Sequence, residues 1–270
     1  MRENRITRCF AGLARRGKKG LITYITAGDP DLATTARLVE TMVCAGADVV
    51  EIGIPFSDPV ADGPVIQQAS ARALAKGVRV KEIIRMCAAV RQRVSAPLIL
   101  MTYYNPVFQY GLADFARDAA AAGVDGLIVP DLPIEESGEL LGHTDQYGLA
   151  LIPLAAPTST AARLAAMAPL ARGFVYCVSV TGVTGARQEI HTDLAKFMQR
   201  VRQHISLPAA IGFGISGPES AARVAPHCDA LVVGSAIVNL VARAEGSDPA
   251  PAVAALVGEI RRAIDGAATT

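Results

Sequence analysis

Short apolar runs recur along the chain: "GLITYITAG" (20–28), "ADVVEIGI" (47–54), "APLILMTYY" (96–104), "VDGLIVPDL" (124–132), "GLALIPLAA" (148–156), "GFVYCVSV" (173–180), "LPAAIGFG" (207–214) and "DALVVGSAIV" (229–238). Each is too continuous for a half-exposed strand and too short for a typical helix, so each predicts a fully buried strand. Between them lie Ala-rich amphipathic stretches with helix signals. "DPDLATTARLVETMVCAGA" (29–47) opens on Asp and Pro and closes on Gly46, and "YGLADFARDAAAAGVD" (110–125) closes on Gly123. "STAARLAAMAPLARG" (159–173), "TDLAKFMQRVRQHI" (192–205) and "GPESAARVAPHC" (217–228) continue the pattern. "AGAD", "AGVD" and "PHCD" look like one device, in which a helix ends, turns and delivers an Asp or Gly at the start of the next strand.

Strands alternating with helices in this number predict an α/β fold, a (β/α)8 TIM barrel. "ENRITRCFAGLARRG" (3–17) predicts an extra N-terminal helix and "PAVAALVGEIRRAIDG" (251–266) the last one. No linker or composition break divides the chain, so residues 1–270 read as a single barrel domain. The runner-up is a doubly wound open sheet, which rarely needs this many strands and whose dinucleotide fingerprint is absent. Strand spacing is uneven. The long steps follow the second and sixth strands, and both excesses fall after a strand's C-terminal end, where barrels build active sites. They read as long loops, which in a compact domain are usually functional or mobile.

Composition narrows this picture. The chain is 51% hydrophobic, as a buried parallel sheet with helices packed on it requires. A net charge of +1 leaves no field to recruit nucleic acid or an anionic membrane, and "RRGKKG" (15–20) reads as a solvated turn. The longest weakly polar run (230–242) is too short to span a bilayer, and the charged start has no apolar signal region. The five cysteines are scattered, with no CxxC and no metal-ligand spacing. These features predict a reduced, cytoplasmic protein, with no metal and no nucleic-acid or membrane partner.

The candidate chemistry begins with "VVEIGIPFSDPVADGP" (49–64). Glu51 stands inside an apolar run, near the C-terminal end of the second strand. A core ion pair would be its ordinary explanation, but the only basic residue between Asp48 and Lys76 is Arg72. The next loop supplies Asp58 and Asp62 among Pro55, Pro59 and Pro64, which restrict its freedom. A Glu desolvated by apolar walls with a second carboxylate nearby has a raised pKa and can exchange protons near neutrality. Three Gly-rich segments on late strand ends, "SVTGVTGARQ" (179–188), "IGFGISGP" (211–218) and "VVGSAIV" (232–238), suit a phosphate bound by backbone N–H groups. Arg187 reads as solvated rather than as part of that cradle. Tyr24, Tyr103, Met101, Ile152, Tyr176 and Phe213 sit at or near strand ends and could line an aromatic pocket; plain barrel core is the ordinary reading for each, and it is the expectation for Met101 and Ile152. The residues therefore describe a barrel enzyme acting on a phosphorylated small molecule, with Glu51 and Asp62 as proton-handling groups.

Five segments, "YITAGDP" (24–30), "EIGIPFSDPVADGPVIQ" (51–67), "YCVSVTGVTGAR" (176–187), "IGFGIS" (211–216) and "VVGSAIV" (232–238), together resemble the tryptophan synthase alpha chain family across essentially the whole chain. The resemblance implies a TIM barrel lyase that splits indole-3-glycerol phosphate into indole and glyceraldehyde 3-phosphate in tryptophan biosynthesis. It implies catalytic roles for Glu51 and Asp62, with Tyr176 in support. It implies Tyr24, Tyr103 and Phe213 around the indole, Gly185, Gly214, Gly234 and Ser235 around the phosphate, and Thr184 on a mobile sixth loop that closes against Asp62. It further implies an alpha2-beta2 heterotetramer with a beta chain, docked through the Asp58 loop and a turn at "YNPV" (104–107), with no cofactor in this chain and pyridoxal phosphate in the partner. Thr23 departs from the family, whose members frequently have proline there. The alternatives are a stand-alone indole-3-glycerol-phosphate lyase and a non-catalytic regulatory subunit; the intact acid pair argues against the second.

Overall fold

The computed structural model describes residues 4–178, 190–212, 214–244 and 246–267. The strands are β1 (Gly20–Thr26), β2 (Val49–Gly53), β3 (Leu98–Met101), β4 (Gly126–Ile128), β5 (Ala150–Leu151), β6 (Leu154–Ala155), β7 (Val175–Val178), β8 (Ala209–Gly212) and β9 (Ala230–Val233). The helices are α1 (Arg5–Arg15), α2 (Leu32–Cys44), α3 (Pro64–Ala75), α4 (Val80–Arg91), α5 (Tyr104–Tyr110), α6 (Leu112–Ala121), α7 (Gly138–Tyr147), α8 (Ala161–Met167), α9 (Ile190–His204), α10 (Pro218–Val224), α11 (Ser235–Arg243) and α12 (Ala250–Ala267). Every strand pairing is parallel, in the order β5-β4-β3-β2-β1-β9-β8-β7-β6. The two end strands are consecutive in sequence, with only Ile152 and Pro153 between them, so one chain segment closes the ring into a barrel. Proline explains the break, because it cannot donate to the ladder. The Ile152 N–H still reaches the Leu127 carbonyl at 2.9 Å, and the Pro153 carbonyl accepts the Tyr176 N–H at 2.9 Å.

Alternation along the strands separates two apolar layers. Leu21, Ile25, Val50, Ile52, Leu98 and Leu100 point outward into the helix layer, where Leu38, Met42, Ile83 and Phe115 meet them. Ile22, Val49, Ile99, Ile128, Phe174 and Val232 point inward. Helix α1 stoppers the N-terminal end of the bore, because Ile6 and Phe10 pack into that inner cluster. The Phe10 and Phe174 rings lie 5.4 Å apart. The strand-opening aspartates are the device suspected from the sequence. Each gives its N–H to a neighbouring-strand carbonyl and takes that same residue's N–H on its carboxylate: Asp48 with Leu21 (2.8 and 2.9 Å), Asp125 with Leu98 (2.8 and 3.0 Å), Asp229 with Ala209 (2.9 and 2.9 Å).

Several boundaries differ from the sequence reading. The excess after the second strand is not a long loop but mostly two helices, α3 and α4. Helix α3 starts with Pro64 in its first turn, where the missing N–H costs nothing. The third strand stops at Met101, and "YNPV" opens helix α5 rather than forming a turn. The eighth stops at Val233, and "SAIV" begins helix α11. An apolar run looks the same as a strand or as a buried helix, which is why the sequence alone ran these strands too far.

Candidate active site

Glu51 faces the bore from β2, in register with Tyr24 on β1. It is 1% exposed, and among the described residues neither carboxylate oxygen has a hydrogen-bond partner. Burial, and then the negative charge of Asp62, push its pKa up to about 8. Arg72, the one basic residue between Asp48 and Lys76, is spent on Asp29, with bonds of 2.9 and 2.7 Å. Among the described residues, the core ion pair that would make Glu51 ordinary is therefore not formed.

Asp62 approaches from the loop between β2 and α3. Burial raises its pKa to about 6, and a hydrogen bond from Tyr103 works in the opposite direction. Tyr103 also accepts the Ala61 N–H at 3.0 Å and stacks on Phe56 with ring centres 5.2 Å apart, so it braces the loop while facing its carboxylate. Two carboxyl groups in one site thus differ in environment. Glu51 holds its proton at neutrality while Asp62 is mostly ionised, the split that lets one act as acid and the other as anion.

Tyr24 and Tyr176 complete the walls. β2 and β7 stand opposite each other in the ring, so Tyr176 looks across the bore towards Glu51, whose charge is the second cause, after burial, of its raised pKa. Tyr24 is raised by burial and then by Asp62, so both phenols stay protonated. Glycines make this layer possible. A Cβ on Gly53 would lie 2.1 Å from the Tyr24 hydroxyl, and one on Gly212 would lie 2.3 Å from that of Tyr176. Each tyrosine lies flat across a bare stretch of the next strand, and the Tyr24 hydroxyl meets Thr26 Oγ1 at 3.3 Å. Met101 packs beside Tyr24 and Val238, at the upper edge of the core, whereas Ile152 belongs to the sealed inner cluster near α1.

Gly214 and Gly234 each lie two residues beyond the paired Gly212 and Val232, so the two glycine turns come together on adjacent strand ends. Gly214 has φ +77°, a conformation that glycine adopts without cost. Gly234 precedes α11, whose first turn carries no side-chain cap and no acidic residue, and Ser235 is exposed at its first position. Such a helix start presents backbone donors and a positive dipole end to an anion. Thr184, Gly185, Arg187 and Phe213 lie outside the described residues. Among the described residues no group of His, Cys, Asp or Glu side chains could hold a metal ion, and no helix is long and apolar enough to cross a membrane.

The structure brings together the carboxylates and tyrosines that the sequence singled out. Sequence reasoning missed Gly53 and Gly212, whose role appears only once the register sets each against a tyrosine of the neighbouring strand. It also missed Gln67, within the quoted "PVIQ", whose side chain donates to the carbonyl of Asp62 at 2.9 Å.

Comparison with known proteins agrees with this geometry. A family model described as tryptophan synthase alpha chain matches residues 10–264. A tryptophan synthase alpha chain from Caldanaerobacter subterraneus subsp. tengcongensis is 52% identical over 240 residues, covering 89% of this chain and 91% of that one. One from Pelobacter propionicus is 49% identical over 265 residues, covering 98% and 99%. Among solved structures, tryptophan synthase subunit alpha from Legionella pneumophila superposes with a TM-score of 0.92 at 40% identity, covering 98% of this chain and 100% of that one.

Proposed function

The chain belongs to the tryptophan synthase alpha chain family, and from that premise we propose that Glu51 is its mobile proton carrier and Asp62 its fixed anion. The family reaction is the cleavage of indole-3-glycerol phosphate in tryptophan biosynthesis, and this protein is a carbon–carbon lyase of that kind. The observation that carries the assignment of roles is the placement of the two carboxyl groups: Glu51 is buried with no hydrogen-bond partner among the described residues, while Asp62 sits on the next loop against Tyr103, and burial pushes the first up to about 8 and the second to about 6.

The steps follow from that split. Glu51, protonated at neutrality, gives its proton to C3 of the indole ring. The ring becomes a cation, and Asp62, ionised, accepts the ring N–H and stabilises the charge. The C–C bond then breaks. Its electron pair returns to the ring, and the proton of the adjacent hydroxyl passes to the Glu51 carboxylate as the aldehyde forms. One buried carboxyl thus serves both proton transfers. Tyr24 and Tyr176 keep their protons and hold the walls of the ring pocket. Gly214, Gly234 and Ser235 receive the phosphate on backbone donors. None of these steps calls on a cofactor in this chain; pyridoxal phosphate is assigned to the partner.

Members of this family work with a beta subunit. For this chain the proposed assembly is an alpha2-beta2 heterotetramer in the cytoplasm. Val60, 81% exposed on the Asp62 loop, and Phe108, 61% exposed on α5, offer apolar surface on the active-site side of the barrel for that partner. Indole release from indole-3-glycerol phosphate tests the roles. Glu51→Gln and Asp62→Asn are each expected to lower turnover by about 10²- to 10⁴-fold. Near-normal turnover in either removes that residue from its role. Comparing turnover with and without a beta chain separates a dependent subunit from a stand-alone lyase.

A further inference from the structure

Asp62 sits on a loop, yet its proposed task demands a fixed direction, because an anion displaced by about 1 Å loses much of its effect on a developing charge. The backbone alone offers little restraint. Within the loop the Val60 N–H meets the Asp58 carbonyl at 2.9 Å and the Asp62 N–H meets the Pro59 carbonyl at 3.0 Å. The helix that follows opens on Gly63, which has no side chain to cap it.

One side chain returns from that helix. Gln67 Nε2 donates to the carbonyl oxygen of Asp62 at 2.9 Å and to that of Pro59 at 3.4 Å, so a single amide clasps the turn from Pro59 to Asp62. From the other side the Tyr103 hydroxyl takes the Ala61 N–H. The frame that carries Gln67 is itself anchored in the fold. Ala69, Ser70 and Ala73 of α3 are buried, and Arg72 on the same helix grips Asp29 through two bonds, with Asp29 only 4% exposed. A two-pronged guanidinium–carboxylate pair of this kind sets orientation as well as contact.

We propose that Gln67 is a positioning residue for catalysis: its amide, anchored through α3, clasps the loop at Pro59 and Asp62 and so aims the Asp62 side chain. Gln67 does not touch the reacting atoms, and its effect passes through Asp62. The inference rests on the role given to Asp62 above. The chemistry asked of Gln67 is donation alone. Gln67→Glu keeps length and shape but presents an ionised acceptor to two carbonyls, and Gln67→Leu removes the polar group. Because Gln67 is exposed, neither change opens the core.

The experiment measures indole release, affinity for glycerol phosphate, and Tm for both variants, alone and combined with Asp62→Asn. The expected result is a kcat about tenfold below wild type in both, with KM, glycerol phosphate affinity and Tm unchanged. In the Asp62→Asn background the further loss from Gln67→Leu is expected to shrink to less than about twofold, the non-additivity of two residues acting as a unit. If Asp62→Asn is crippled while both Gln67 variants keep turnover near wild type, the clasp fails and the Asp62 reading stands. Full additivity with Asp62→Asn also overturns the clasp, as does a kcat loss that follows a fall in Tm. If Asp62→Asn itself turns over normally, the Asp62 reading fails first and takes this inference with it.

Discussion

Replacing Glu51 by glutamine is expected to stabilise the fold at alkaline pH while removing activity. A carboxyl whose pKa rises on folding binds its proton more tightly in the folded chain. Its contribution to stability is therefore full below the unfolded value, near 4.5, and is lost as pH rises through the folded value of about 8. Integrated from pH 5 to pH 8, that single group lowers the stability of the wild type by about 3 kcal/mol. Glutamine has the same shape and nothing to titrate. The assay is urea unfolding of wild type and Glu51→Gln, followed by far-UV circular dichroism at pH 5, 6, 7 and 8. Groups common to both proteins cancel in the difference. With a urea dependence of about 3 kcal/mol per molar, the variant's midpoint is expected to gain about 1 M on the wild type across that range. Parallel midpoints at every pH would mean that Glu51 titrates normally in the folded chain. The raised pKa, and the proton it carries at neutrality, would then be refuted together.

Three further outcomes follow from the same geometry. The pH profile of kcat/KM for indole release is expected to be a bell, rising as Asp62 ionises near 6 and falling as Glu51 loses its proton near 8; an alkaline limb that survives in Glu51→Gln would show that the wrong group was chosen. Gly53→Ala drives a methyl group into the Tyr24 ring, with Cβ 2.6 Å from Cζ, and is expected to cost about 1–3 kcal/mol in thermal unfolding. Tyr24→Leu in the same chain is expected to recover most of that loss, and failure to recover it would place the clash elsewhere. Thr23 is fully buried and, among the described residues, its hydroxyl has no partner, so Thr23→Val is expected to gain about 1 kcal/mol, read as a Tm higher by about 2–4 °C. A lower Tm would reveal a bond that the hydroxyl makes.

The fold was legible where burial writes a pattern. The strands within "GLITYITAG" and "ADVVEIGI" are buried on both faces, and such short apolar runs bounded by turn signals mark them as strands. Glu51 stood out against such a run because an ionisable group there needs an explanation. The same signal failed at "ALVVGSAIVNLVA", where Val233 ends a strand and Ser235 starts a helix, because both elements are apolar and only Gly234 marks the change. Helix α5 was missed because its seven residues are too few to show a helical period. The tyrosine-over-glycine pairs and the Gln67 clasp depend on which residues the register and the loop bring together, and no local pattern encodes that.

The two ends of the barrel hold their charges on opposite terms. At the N-terminal end every strand-opening carboxylate named above is satisfied. Asp125 receives Arg91 at 3.1 Å, Arg5 at 3.0 Å and the Leu98 N–H, while Asp48 receives Arg261 at 2.9 Å and the Leu21 N–H. Breaking such a buried pair strands a charge, so this end resists opening. At the C-terminal end Glu51 has no partner among the described residues, although a single lysine or arginine on a facing strand would supply one. A cation there would lower its pKa and hold its proton away from any substrate. The unsatisfied carboxyl is therefore a condition of the chemistry, and the fully paired lower end is what allows the chain to fold around it. Conservation of fold and conservation of activity accordingly make demands on different residues of the same strands. Asp48 and Glu51, three positions apart on either side of one short strand's start, answer to opposite rules.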